Sequence, residues 1–517
     1  MSVVDDPARP GPTPSPDRTD RNHRAHRTDP PTPEGTSPRP DRPGRPDRPH
    51  RSDRPGRSDR PGRPASGLFR AFWRWHFYGA VVVVPVLLVL AVTGLVYLFR
   101  FQIEPLVHGD LMRVEHVAGQ LTQPAETQLE MVQKADPGAT VVSYTEPSAP
   151  DESSRFTVTT ADGATRDVFV DPYTLDVLGS LDPDGTISGT AVRLHADLMA
   201  GRVGETVMEL GASWAIVMTI TGYYLFVRGR RARRRQRERH ARSARLRRTH
   251  ARVGAVVGVG LMALLVTGLP WTEVWGGAVQ KVATDNSSSM WAEDPGALSN
   301  PASTLDESLP HSHHAVPWGQ EKSGVPRSTP RAAGDEESVA NLDTAVEVAD
   351  REGLAHPLTV ALPADDGGVY SAIGYAFHDP AAERTVHVDR YGGQVVSSYG
   401  YDDYPALAKV VAQGISVHEG RRFGTLNFWL TAAFCVAVVV SCVTGPLMWW
   451  RRRPRGGGSV GAPRGRMPVA ASPLLAVGVV ALGLFLPVFG ASLLVVLLLD
   501  RFVLRRVTRL AKAFNVT

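Results

Sequence analysis

The chain has 517 residues but only two cysteines, Cys435 and Cys442, and both sit inside one apolar run. That scarcity excludes a disulfide scaffold, a Cys-based zinc site and the C-x-x-C-H motif that attaches haem covalently. Lysine is also scarce, so the positive charge is almost all arginine. Large apolar side chains are nearly missing from residues 1–66, a stretch of Pro, Arg, Asp, Gly and Ser in which SDRPGR occurs twice in tandem. Such a segment cannot bury enough apolar area to offset its ordering entropy. A solvated, disordered cytoplasmic tail is expected there, and the late first apolar run argues against a signal peptide. No Walker loop, G-x-S-x-G elbow, H-E-x-x-H or strand-linked G-x-G-x-x-G is present. No flavin or nicotinamide site is therefore expected, and nothing points to nucleic acid.

Long apolar runs are what the chain does have. Four lie at about 77–99, 207–227, 253–271 and 423–450. Each is near or above the ~20 residues that cross a hydrocarbon core of about 30 Å. A fifth run, 469–499, contains Pro487 and Gly490 and is long for one crossing but short for two. A lipid bilayer is the first partner this implies. The spans lack the run of intramembrane acids and lysines expected of a proton-coupled pump, which argues against a transporter of iron compounds.

Charge orients the runs. Residues 228–248 hold twelve Arg and one acid, and 451–466 hold six Arg and no acid. Residues 100–200 have six basic and sixteen acidic side chains, and 272–420 have eight basic and twenty-two acidic. Short Arg-rich loops stay in the cytoplasm. The expected layout is a tail at 1–66, helix one at 70–100, an outer domain at 101–200 and helix two at 205–228. A basic loop follows at 229–250, then helix three at 251–271, a second outer domain at 272–420 and helix four at 423–450. A basic loop at 451–467, a membrane hairpin or long helix at 468–500 and a basic cytoplasmic tail at 501–517 complete it. The fold class is a polytopic α-helical membrane protein, four core helices in two repeats, with two small extracytoplasmic α+β domains.

The outer segments read alike. Each has a short helix (122–136 and 343–351) followed by alternating, β-branched strands at 155–160, 166–171 and 176–178, or at 368–377, 384–389 and 394–397. Phe169-Val170-Asp171 and His387-Val388-Asp389 occupy the same place in each. The spacing of histidines repeats as well. His76 and His250 each lie 17 residues before a Thr-Gly-Leu, at Thr93 and Thr267. His195 and His418 each lie 6 residues before a glycine and 26 before a Thr-Gly, at Thr221 and Thr444. If the halves pack about a pseudo-two-fold axis normal to the membrane, His76 meets His250 near the cytoplasmic end and His195 meets His418 near the outer end. Two facing neutral imidazoles suit bis-His ligation of a haem iron. One or two non-covalent haem b groups are thus expected, with Gly79, Gly254, Gly201 and Gly424 allowing a flat macrocycle to approach. His195 stands about a dozen residues before its apolar run, which leaves a surface helix as the alternative for it. Without a flavin, electrons would come from membrane quinol or a cytoplasmic reductase.

Other candidates are plainer. His311, His313 and His314 form a cluster in a Pro/Ser-rich stretch that suits a divalent metal or an ordinary loop. His108 and His116 follow helix one. Cys435 and Cys442 are seven apart and share a helix face, as packing residues do.

Trp75-His76-Phe77-Tyr78-Gly79 before a helix ending in Thr93-Gly94, Leu194-His195 with Gly201, and Val417-His418-Glu419-Gly420 with Phe423-Gly424 resemble the PepSY-associated transmembrane family, the iron-regulated membrane proteins. The resemblance covers about 70–505. It implies PepSY-like outer domains, haem-ligand roles at His76, His195, His250 and His418, and reduction of ferric siderophores or other iron chelates at the outer face of the bacterial cell membrane. The alternative it leaves open is a membrane module whose outer domains bind a peptide or regulate a protease.

Overall fold

The computed structural model describes residues 67–230, 241–286, 288–291, 303–309, 316–328, 340–374, 376, 378–452 and 473–514, without the side chains of 241–244 and 452. The elements in order are α1 (Gly67–Leu98), α2 (Arg100–Val107), α3 (Gly109–Met112), α4 (Ala125–Ala135), β1 (Thr140–Thr145), β2 (Ser154–Thr159), β3 (Thr165–Val170), β4 (Val177–Leu181), α5 (Ile187–Asp197) and α6 (Gly201–Arg228). The second half runs α7 (Ala241–Gly268), α8 (Glu273–Asp285), β5 (Ser303–Thr304), α9 (Leu305–Ser308), β6 (Gly324–Val325), α10 (Leu342–Arg351), β7 (Leu358–Ala361), β8 (Val369–Gly374), β9 (Arg384–Asp389) and β10 (Val395–Gly400). It closes with α11 (Ala406–His418), α12 (Gly424–Arg452), α13 (Pro473–Phe485), α14 (Pro487–Leu499) and α15 (Thr508–Ala513). The expected tail at 1–66 and the His311–His314 cluster lie outside the described residues.

Among the described residues, five helices are long and apolar enough to cross a membrane: Gly67–Leu98, Gly201–Arg228, Arg245–Trp271, Gly424–Arg451 and Pro487–Leu504. The first four form a bundle whose core includes Val83, Leu87, Ile216, Val257 and Val438, with Cys435 and Cys442 buried as free thiols. Small residues set the closest approaches, as lipid gives no hydrophobic drive between helices. A side chain at Gly211 would meet Val86 at 2.4 Å, and one at Gly260 would meet Phe434 at 2.5 Å. The fifth apolar run breaks at Leu486 into two 13-residue helices, with Gly483 and Gly490 in backbone contact. Past α14 the chain returns to the start of α1, where Arg74 and Tyr78 both donate to the Phe514 carbonyl.

The second span does contain a buried acid. Glu209 is 1% exposed and accepts the backbone N–H groups of Val274 and Trp275 at 3.0 and 3.1 Å. Those are orphan donors at the N-terminus of α8, where a carboxylate is favoured.

The two outer segments are not two separate domains. All eight long strands join one antiparallel sheet in the order β10-β9-β8-β7-β1-β2-β3-β4. The seam is β1 against β7, with Ser143 opposite Ala361, Tyr144 opposite Val360 and Thr145 opposite Thr359. Both α4 and α10 pack on one face, over Tyr144, Phe156, Val360 and Val386. On the other face the described part of the 272–420 segment adds Leu305, Leu309 and Val325 against Ala361, Val369 and Ile373. Covering one long sheet buries more apolar surface than two four-stranded sheets with open edges would, and removes two exposed edges.

Candidate functional site

The structure brings His76 to His250 and His195 to His418. Ring centres are 6.4 Å apart in both pairs, with the planes crossed at 73° and 83°. His76 and His250 stand on α1 and α7. His195 stands on α5, which is separate from α6 and folds back along α1. The chain reverses through Leu198, Met199 and Gly201, all at φ between 54° and 56°. At the matching turn Gly420 has φ 76° and Gly424 φ 56°. Left-handed backbone is nearly free only for glycine, so Gly201 and Gly424 serve the turn. Glu104 holds the start of α5, accepting from the Ser188 backbone N–H and hydroxyl at 2.6 Å each. His195 is therefore inside the bundle, not on a surface helix.

Each imidazole rests on a Thr-Gly of another helix. His195 Nδ1 lies 2.9 Å from Thr93 Oγ1, His418 Nδ1 3.1 Å from Thr267 Oγ1, and His250 Nδ1 3.4 Å from Thr444 Oγ1. His76 Nδ1 is 3.4 Å from Thr221 Oγ1 and 3.0 Å from the Met218 carbonyl. Every one of these threonines already donates its hydroxyl to the carbonyl four residues back, at 2.7 to 2.9 Å. Its oxygen is left to accept, so the proton sits on Nδ1 of each ring. That leaves Nε2 as a bare lone pair. Among the described residues, Nε2 of none of the four rings makes a hydrogen bond.

The glycine of each Thr-Gly makes room for the ring edge. A side-chain carbon at Gly94, Gly222, Gly268 or Gly445 would meet the imidazole Cε1 at 3.5, 3.1, 3.2 and 3.9 Å. Sequence reasoning used these dipeptides only as register marks. Of the glycines named for close approach, Gly79 packs on Trp214, and Gly254 faces no protein atom within 4 Å.

The matched stretch spans both pairs. Residues 73–452 match the model of the PepSY-associated TM region. The chain belongs to this family. No curated protein matches the chain. In this PepSY-associated TM protein both histidine pairs, all four Thr-Gly supports and the whole sheet fall within the matched residues.

The remaining candidates are not drawn to the pairs. His108 Nε2 is 3.8 Å from Glu104, and His116 packs against Tyr173 with ring centres 5.3 Å apart and planes tilted by 39°. Among the described residues no group of three or more His, Cys, Asp or Glu side chains is placed to hold a metal ion. Trp271 meets His418 edge-on, with ring centres 5.5 Å apart.

Proposed function

We propose that this PepSY-associated TM protein is a haem b electron-transfer protein of the bacterial cytoplasmic membrane that reduces ferric chelates, siderophores among them, at its outer face. The observation that carries this reading is the pair geometry. An iron–nitrogen bond of about 2.0 Å on each side, plus about 1.1 Å from nitrogen to ring centre, separates two ligating imidazoles by ~6.2 Å. Both pairs stand at 6.4 Å with bare Nε2 atoms. A metal-bound histidine ordinarily donates its other N–H to a fixed acceptor, and each of the four does so. The residues fit the group.

In this reading His76 and His250 would hold the inner haem and His195 and His418 the outer one. Held by two imidazoles, the group would supply one-electron transfer rather than oxygen chemistry. The threonines hold each ring in one tautomer and orientation, so the ligands do not rearrange when charge changes. The 17 residues from His76 to Thr93 place the two sites about 25 Å apart along α1. Arg228, Arg230, Arg247 and Arg248, close in the chain to His250, mark the cytoplasmic side. The halves of the chain, with their PepSY-like outer parts fused at β1 and β7, act as two repeats. Ferrous iron is held less tightly than ferric iron by hard oxygen chelators, so reduction releases it. Electrons enter from quinol or a cytoplasmic reductase.

The test is an optical spectrum of the full-length protein purified after growth with ample haem. A low-spin b-type spectrum is expected, losing one component in His76→Ala and the other in His418→Ala, with ferric-chelate reduction lost in both. A preparation with no Soret band overturns the proposal.

A further inference from the structure

A buried polar chain connects the outer histidine pair to the sheet. Glu419 follows His418 in sequence and is 8% exposed. It accepts from the Tyr97 hydroxyl at 3.4 Å and from the Arg421 guanidinium. Arg421 in turn faces Glu383, itself 9% exposed. Glu383 Oε2 accepts from the Tyr404 hydroxyl at 3.1 Å. Gln320 is fully buried beside Tyr404 and accepts from Thr385.

Among the described residues Glu383 and Glu419 both face the Arg421 guanidinium, and burying two carboxylates close together is costly. The groups facing Glu383 are Tyr404 from the segment before α11, Arg421 and Glu419 from the turn after it, and Asp379 from the loop before β9. Asp379 is half exposed and pairs with Arg422 at 3.5 Å, so it gives the cluster an opening to solvent. Burial holds the Glu383 carboxyl up at about 7, with Tyr404 and Arg421 pulling the other way. A carboxyl in that position responds to any further negative charge placed nearby, because such a charge favours its protonated form.

We propose that Glu383 is the proton-accepting group of the outer site: it takes a proton from the outer solution when an electron reaches the His195–His418 pair, and returns it when the electron leaves for the ferric chelate. The inference rests on the haem reading. The balance is one electron in from the membrane or cytoplasmic donor, one proton onto the Glu383 carboxylate, one electron out to reduce ferric to ferrous iron, and the proton released to the same side. Arg421 and Glu419 are positioning residues that carry the electrostatic coupling between the pair and Glu383.

The experiment is a spectroelectrochemical titration of the full-length, haem-loaded His76→Ala protein, in which the outer pair alone remains, between pH 5.5 and 8.5. The midpoint potential is expected to fall as pH rises through neutrality. Glu383→Gln should flatten that dependence while leaving the b-type spectrum in place. Tyr404→Phe removes the hydroxyl that stabilises the carboxylate, so it should move the sloping region to higher pH. It also keeps the test usable where Glu383→Gln folds poorly. A potential independent of pH in the parent, or a slope that survives Glu383→Gln, overturns this inference while the haem reading stands. A preparation without a Soret band overturns both.

Discussion

Glu126 and Asp343 cap each other's helices across the centre of the sheet. Asp343 Oδ1, in the first turn of α10, accepts the backbone N–H of Ala125 at 2.7 Å and of Glu126 at 3.3 Å, at the start of α4. Glu126 Oε2 returns the bond to the Leu342 N–H at 2.9 Å, at the start of α10. The first N–H groups of a helix have no partner of their own, and a carboxylate there meets both the hydrogen-bond and the dipole requirement. The two halves are thus tied by exchanged caps as well as by the β1–β7 seam.

Removing one cap should show in stability. Asp343→Ala is expected to cost about 1 kcal/mol, in the range of other N-terminal caps. Glu126→Gln should cost less. Burial raises the Glu126 carboxyl above its usual range, the Leu342 N–H opposes this, and the Asp343 and Glu130 charges add to it. A neutral amide keeps an acceptor for Leu342 and drops the repulsion. Thermal unfolding of the full-length protein in detergent at neutral pH measures the difference; a larger loss in Glu126→Gln would contradict the exchanged-cap account.

The threonine supports predict unequal sensitivities. Thr93→Val keeps the side-chain shape but removes the hydroxyl that His195 Nδ1 meets at 2.9 Å, leaving the Leu90 carbonyl as its secondary partner. Haem affinity at the outer pair should fall by about 10- to 100-fold, as for other partners that orient a metal-bound histidine. Thr221→Val should cost less at the inner pair, because the Met218 carbonyl still accepts from His76 Nδ1 at 3.0 Å. Haem titration of the two apo variants compares them directly. Equal losses would show that the hydroxyls do not set the ring orientation.

The glycines under the rings give a graded series. Gly222→Ala and Gly268→Ala place a methyl at 3.1 and 3.2 Å from Cε1 of His76 and His418, so the ring must shift. Gly445→Ala leaves 3.9 Å to His250 and should be tolerated. The first two should broaden or shift the b-type bands at a cost of ~1 kcal/mol or more; the third should not. Identical spectra for all three would rule out close contact between ring and backbone.

His356 makes stability at the sheet seam depend on pH. Its Nδ1 lies 2.7 Å from Glu146, at the end of β1, and its Nε2 meets Asp350 on α10. Desolvation lowers its pKa, but the hydrogen bonds and charges of Glu146 and Asp350 outweigh that and raise it overall. A histidine raised in the folded state gives stability that is full below its unfolded value of about 6.5 and is lost as pH rises through the folded value. His356→Gln should therefore lower the unfolding temperature most near pH 6 and least above pH 9. A deficit that grows with pH would reverse the assignment.

Much of the architecture is legible in the residues. The apolar runs and Arg-rich loops announce the membrane helices, since a ~30 Å hydrocarbon layer demands about 20 apolar residues. Of the ten strands among the described residues, six are legible in the sequence, and the two short insert strands and the two seam strands are not. β1 breaks its alternation at Val141, where the pairing with β2 shifts register before Ser143. β7 is buried at all four positions, Leu358 to Ala361, so it shows no alternation at all. The strands that join the halves were thus the least visible, and two domains were expected where one sheet exists.

The equal spacings around His76, His250, His195 and His418 follow from the sequence, because duplication copies spacing. Which residue supports which ring does not. Thr93 lies 17 residues from His76 in the sequence, about 25 Å along the same helix, so it cannot serve the histidine whose spacing revealed it. It serves His195, which reaches it only because Leu198, Met199 and Gly201 turn α5 back along α1. Periodicity fixes what lies along a helix; what lies across from it is decided by packing between helices distant in the chain.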